Sequence, residues 1–336
     1  MEKDYFITLL QQNYDTMSLF FSSEMTPAMK IPLAVQYSFS RETFNGLQFE
    51  AQLKKLQRKV VKQSLLEFFS TVSNKSVLSY KVSAHILLHE QTDQELKRLA
   101  RNEAYLEAVG FEASSYQSIA AIFLMDEAHA KRTKSLHKEM KKQHHFLTGK
   151  DDIPYAVLLT QKQANARLQA QTMRCYYDEL LAQNFKRGDS LQAMSQLLTL
   201  YHADFEPIVI DYVRAICTYL KRANIKIRRK FYPFVAMLAL AQANEDVLND
   251  IIQMNKELMA LRMFSLEPSF AFMTATQFVL QQRIERQALQ QFGDSLLFVQ
   301  ALNMNDFLQD AKMTLAFTIF DFFSGSERIL FQGNPQ

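Results

Sequence analysis

A chain of 336 residues with 48% apolar and 22% charged side chains can bury a large core, and its mixed charges exclude wholesale disorder. The net charge of +3 is too small to dictate a nucleic-acid or anionic-membrane partner. Only 7 glycines and 7 prolines are present, too few for the turns of an all-β fold, while the abundant Leu, Ala, Gln, Lys, Glu and Met favour helices.

The chain starts MEKDYFITLL, with two acids and no long apolar core, so no secretory signal is expected. Residues 1–75 keep helical patterning without a period and are expected to form an N-terminal helical cap. From 76 to 285 two landmarks recur. A pair of bulky apolar residues closes a short helix at Leu87-Leu88, Phe123-Leu124, Leu158-Leu159, Leu197-Leu198 and Met237-Leu238, with spacings of 36, 35, 39 and 40 residues. An apolar residue ends a longer helix at Phe111, Phe146, Phe185, Ile225 and Phe264, with spacings of 35, 39, 40 and 39. A small residue precedes each of the first four pairs (Ala84, Ala121, Ala156, Ser195), which lets a neighbouring helix approach closely. Gly110 and Asn184 suit the left-handed position after a helix, and Pro154, Pro207, Pro233 and Pro268 fall near helix starts.

A single helix pair cannot bury both of its faces, whereas stacked pairs share one core. The fold class expected is therefore all-α, an α-solenoid of antiparallel helix-pair repeats of about 35–40 residues with helical caps at both ends. Its architecture resembles the tetratricopeptide and pentatricopeptide repeats, whose strict signatures are missing here. Residues 286–336 complete the expectation as a C-terminal cap and tail, the tail containing LFQG.

The turns inside each repeat are acidic and the links between repeats basic, notably Lys138, Lys141, Lys142, Lys186, Arg187 and the run from Lys221 to Lys230. The simple account is the helix dipole, which favours acids at helix starts and bases at helix ends by about 0.3–1 kcal/mol. The functional alternative is a basic ridge that binds RNA or an acidic peptide; RNA is not favoured because the links lack regular aromatic interleaving. The link from His144 to Pro154 holds two histidines and two aspartates. His144, His145, Asp151 and Asp152 are chemically capable of binding a metal or of acid–base work, against the plainer reading that Asp151 or Asp152 caps the next helix. His85 and His89 share a helix face, which fits packing or solvent exposure better than a metal. No GxSxG, GxxxxGK[ST], GxGxxG or HExxH motif occurs. The two cysteines, Cys175 and Cys217, read as buried small apolar residues.

First helices line the concave side of tetratricopeptide-like arrays. Tyr116, Tyr155, Tyr232, Phe234 and Phe272 are therefore the expected wall of a groove for a peptide or protein segment. The expectation is a non-catalytic, cytoplasmic protein with no cofactor, no metal and no membrane partner.

The segment from Met140 to Thr160, MKKQHHFLTGKDDIPYAVLLT, resembles the signature of an uncharacterised bacterial family, the domain of unknown function numbered 4003. The matching positions are His145, Phe146, Leu147, Thr148, Gly149, Asp151, Asp152, Pro154, Ala156, Val157, Leu158 and Leu159, with Tyr155 where the family usually has Leu. The resemblance implies a cytoplasmic bacterial protein and no particular activity. It adds interest to the loop from Thr148 to Asp152 within the candidate binding loop His144, His145, Thr148, Gly149, Asp151 and Asp152.

Overall fold

The computed structural model describes residues 1–22, 25–59, 77–89, 92–143, 147–265, 267–286, 297–305 and 308. These residues are all-helical, with no strand among them. The helices are α1 (Lys3–Phe21), α2 (Pro27–Phe39), α3 (Gly46–Lys59), α4 (Val77–Leu88), α5 (Thr92–Ala108), α6 (Ser115–Phe123) and α7 (Glu127–Gln143). They continue with α8 (Ile153–Leu159), α9 (Ala166–Ala182), α10 (Asp189–Leu198), α11 (Pro207–Arg222), α12 (Tyr232–Leu240), α13 (Glu245–Met259) and α14 (Pro268–Glu285). A further helical segment covers 297–305.

From α4 onward the helices alternate between two rows. The short helices α4, α6, α8, α10 and α12, followed by the 18-residue α14, each touch the next in that series, and so do the long helices α5, α7, α9, α11 and α13. Each long helix also packs on the helix of the other row that follows it. The long helices are amphipathic: α7 buries His129, Ala130, Thr133, Leu136 and Met140, one stripe at helical spacing. Every residue of α8 and of α12 is buried. The bulky pairs close α4, α6, α8 and α10, and the small residues before them, Ala84, Ala121, Ala156 and Ser195, are fully buried at the helix contacts.

The second landmark has a backbone cause. Gly110, Asn184 and Asn224 adopt positive φ of 86°, 67° and 62° just past α5, α9 and α11. The next residue's N–H then reaches back to close the turn: Phe111 to Leu106 O at 3.0 Å, Phe185 to Leu180 O at 3.2 Å, Ile225 to Leu220 O at 2.9 Å. This is the Schellman arrangement, in which an apolar residue after the left-handed position packs back on the helix.

Polar side chains of the long helices satisfy the last carbonyls of the short ones, which a helix leaves without partners. Asn102 donates to Ala121 O (2.9 Å) and Leu124 O (2.7 Å). Arg132 donates to Thr160 O (3.1 Å) and Gln169 to Leu159 O (2.9 Å), and Thr172 donates to Ala203 O (2.6 Å) in the link after α10. A buried carbonyl left unpaired costs about 1–3 kcal/mol, so these bonds fix how the rows register.

The N-terminal helices join both ends of the array. α2 touches α4 and α14. Phe6 of α1 packs between Phe39 of α2 (ring centroids 4.9 Å apart) and Phe278 of α14 (4.7 Å). Lys3 pairs with Glu257 of α13 at 2.8 Å, and the N-terminal ammonium with Glu285 at 3.1 Å. The segment 297–305 buries Leu297, Phe298, Ala301, Leu302 and Met304 in the same apolar core, and Gln161 after α8 donates to Gln300. Among the described residues no helix is long and apolar enough to cross a membrane.

Candidate functional site

The link singled out by the sequence runs into a 3-10 turn, Lys150–Asp152, ahead of α8. His144 and His145 lie outside the described residues. Asp152 is 2% exposed, and neither of its oxygens is offered to a ligand or to the helix it precedes. Because Asp152 already has helical backbone angles, its side chain turns back. Oδ2 accepts the Gly149 N–H at 2.8 Å, and Oδ1 accepts Gln196 Nε2 of α10 at 2.6 Å. This corrects the reading of Asp152 as a side-chain cap: it staples the link to a different helix.

Thr148 is likewise buried, accepting a long 3.5 Å bond from Gln192 of α10. A Cβ at Gly149 would lie 2.9 Å from Asp151 Oδ1, so a larger residue there would push the Asp151 carboxylate aside. Its carbonyl is held by His137 Nε2 at 2.9 Å, a histidine that looks isolated in the sequence. Asp151 is the half-exposed acid of the link. It lines a cavity of about 360 Å³ with Tyr116, Lys186, Arg187, Gly188, Asp189, Ser190 and Arg229. Tyr116 is half-buried, and burial first, then the charges of Asp151, Asp189 and Asp152, push its hydroxyl up to about 12. Among the described residues the side chains of Lys186, Arg187 and Arg229 form no ion pair. Sequence reasoning took these residues as separate links. The signal available was positional, since each lies just before or at the start of a successive short helix.

A second cavity of about 620 Å³ adjoins, sharing the same two links. Phe185, Cys217, Ile225, Ile227 and Tyr232 supply its apolar wall, with Lys221 and Lys226 beside them. The two cavities are coupled by Tyr232, whose hydroxyl accepts the Lys186 N–H at 3.0 Å and whose ring stands edge-on to Phe185.

The other aromatics expected to wall a concave groove are enclosed. Tyr155, Phe234 and Phe272 are at most 2% exposed and Tyr232 is 5% exposed, because the short helices are covered on every side. Tyr116 alone of the five is half-exposed. Cys175 is exposed, not buried as its residue type suggested; Cys217 is half-buried, and burial pushes its thiol up to about 12. His85 and His89 face a partner the sequence did not reveal: Glu95 of α5, 3.4 and 3.9 Å away. No group of three or more His, Cys, Asp or Glu side chains that could hold a metal exists among the described residues.

A buried histidine, His129, and a half-buried one, His137, make the link sensitive to acid. His129 accepts the Met125 N–H on Nδ1 (3.3 Å) and meets Val157 O through Nε2 (2.8 Å), an arrangement that one neutral tautomer satisfies. Burial lowers the pKa of both His129 and His137 below the ordinary 6.5, with the carbonyl bonds opposing it. Their folded values lie below their unfolded ones, so their contribution to stability is complete above pH 6.5 and is lost as pH falls through the folded values. Denaturant unfolding at pH 7.5 and 5.5 should show a loss of up to about 1 kcal/mol per histidine at the lower pH. Equal stability at both values would show that neither ring is protonated on unfolding.

A sequence model of the family described as "Protein of unknown function (DUF4003)" matches residues 13–305. The uncharacterized protein YeaA of Bacillus subtilis (strain 168) is 26% identical over 160 residues, 47% of this chain and 47% of that protein. The aligned stretch thus spans about half the length of this curated relative. No solved structure matches the chain.

Proposed function

We infer that this chain, which belongs to the DUF4003 family of proteins of unknown function, is a non-catalytic helical-repeat protein that binds a peptide or protein segment. The alternating contacts of short with short and long with long helices support an α-solenoid of helix pairs, with the N-terminal helices packed against both its first and its last members. The segment binds along the links and not against the short helices, whose aromatics are enclosed. The observation that carries this reading is the 620 Å³ cavity. It is open, apolar where Ile225, Ile227 and Phe185 meet, and bordered by lysines that favour a segment with both apolar and acidic side chains.

A synthetic peptide array probed with the purified chain tests it, followed by fluorescence anisotropy on the retained sequences. The expected result is a set of binders sharing apolar and acidic positions, each weakened about tenfold or more by Ile227→Lys. An array with no binders, or binders indifferent to Ile227→Lys in a normally folded variant, overturns the reading.

A further inference from the structure

The cavity beside Asp151 has a chemistry of its own. Lys186 and Arg187 come from the link after α9, and Arg229 from the link after α11, so two turns of the array bring three cations to one wall. The three cations outnumber the two acids of the same cavity, Asp151 and Asp189, and none of them is closed into an ion pair among the described residues; such an excess of positive charge is relieved by a bound anion. Two of the three are guanidinium groups, whose forked donors match the oxygens of a phosphoryl group better than a single point charge does. Asp151 and Asp189 sit on the same wall, so the site carries a net charge of only +1 (3 − 2) and favours one compact anion over a long polyanion. Tyr116 stays a neutral hydroxyl at ordinary pH and can donate to an oxygen of the guest. The link that carries Asp151 is held by the Asp152 and His137 bonds, so this wall is preformed. A volume of about 360 Å³ exceeds what a free phosphate fills and leaves room for a carrier.

We propose that the cavity between Tyr116, Asp151, Arg187 and Arg229 is an anion site that takes a phosphoryl group borne on an organic carrier. The proposal goes beyond the binding of a segment and stands independently of the apolar cavity. The carrier is either a phosphorylated side chain or a small phosphorylated molecule. The wild-type chain and an Arg187→Gln/Arg229→Gln variant are titrated with inorganic phosphate, O-phosphoserine, a phosphoserine peptide and the same peptide without phosphate. A Lys138→Gln variant, altered at an exposed base on α7, serves as the charge control.

The expected result is saturable binding of O-phosphoserine or the phosphopeptide by wild type. The affinity falls about tenfold or more in the double variant and is unchanged in Lys138→Gln. Tighter binding of the peptide than of O-phosphoserine identifies a phosphorylated side chain as the source; equal or weaker binding identifies a small molecule. Four outcomes overturn the proposal: no binding of any phosphorylated probe, binding of the plain peptide as tight as that of its phosphorylated form, an equal loss in Lys138→Gln, or full binding by the double variant. Because Ile227→Lys lies outside this wall, its effect on apolar peptides reports separately on the segment-binding reading.

Discussion

Arg98→Ala is expected to lower the unfolding free energy by about 3–5 kcal/mol at neutral pH, the loss typical of a buried ion pair stripped of one partner. Glu95 is 3% exposed, and Arg98 holds it with two guanidinium nitrogens, Nε at 2.7 Å. A third, Nη1, donates to Ile122 O at 3.0 Å and so closes the end of α6. Burial alone raises the Glu95 carboxyl, but its bonds to Arg98 and His85 outweigh that effect and hold it at about 2. The folded value therefore lies below the ordinary 4.5. The pair's contribution is complete above pH 4.5 and is lost as pH falls toward 2. In the variant only burial and the histidine remain, so the gap between wild type and Arg98→Ala should narrow between pH 7 and pH 3. Denaturant unfolding of both proteins at those two values checks the size and the trend. A gap under about 1 kcal/mol at pH 7, or one that persists unchanged at pH 3, would show that the pair does not stabilise the fold.

Phe6→Ala is expected to cost about 3–5 kcal/mol, the range for truncating a fully buried phenylalanine. Phe6 is completely enclosed, and its ring contacts belong to α2 and α14, far apart in the chain. The neighbouring Tyr5 is 51% exposed and supplies the control: Tyr5→Ala should stay within about 0.5 kcal/mol of wild type. Unfolding midpoints in urea measure both. If Phe6→Ala behaves like Tyr5→Ala, α1 is not docked against the last helices.

The helical class was legible because so little of the sequence can make a tight turn. The landmark spacing was legible because it reports local backbone events, the Schellman closures at Phe111, Phe185 and Ile225 and the short-helix ends at Leu88, Leu124, Leu159 and Leu198. The enclosure of Tyr155, Tyr232, Phe234 and Phe272 was missed, although the signal was present. Tyr232–Leu240, YPFVAMLAL, is apolar on every face, which marks a helix covered all round and not one side of an open groove. The double bond of Asp152 to Gly149 and Gln196 was not legible, because Gln196 lies on another short helix and pairing between helices leaves no periodic trace. The meeting of Tyr116, Asp151, Arg187 and Arg229 required knowing that the starts of successive short helices share one edge.

The docking of Phe6 on Phe278 also sets an order of events during synthesis. More than 270 residues must be translated before α1 meets that partner, so its apolar stripe waits beside the ribosome while the middle of the chain emerges. Contacts that span this much sequence close late and slowly, and the early helices remain open to chaperones or to wrong neighbours until they do.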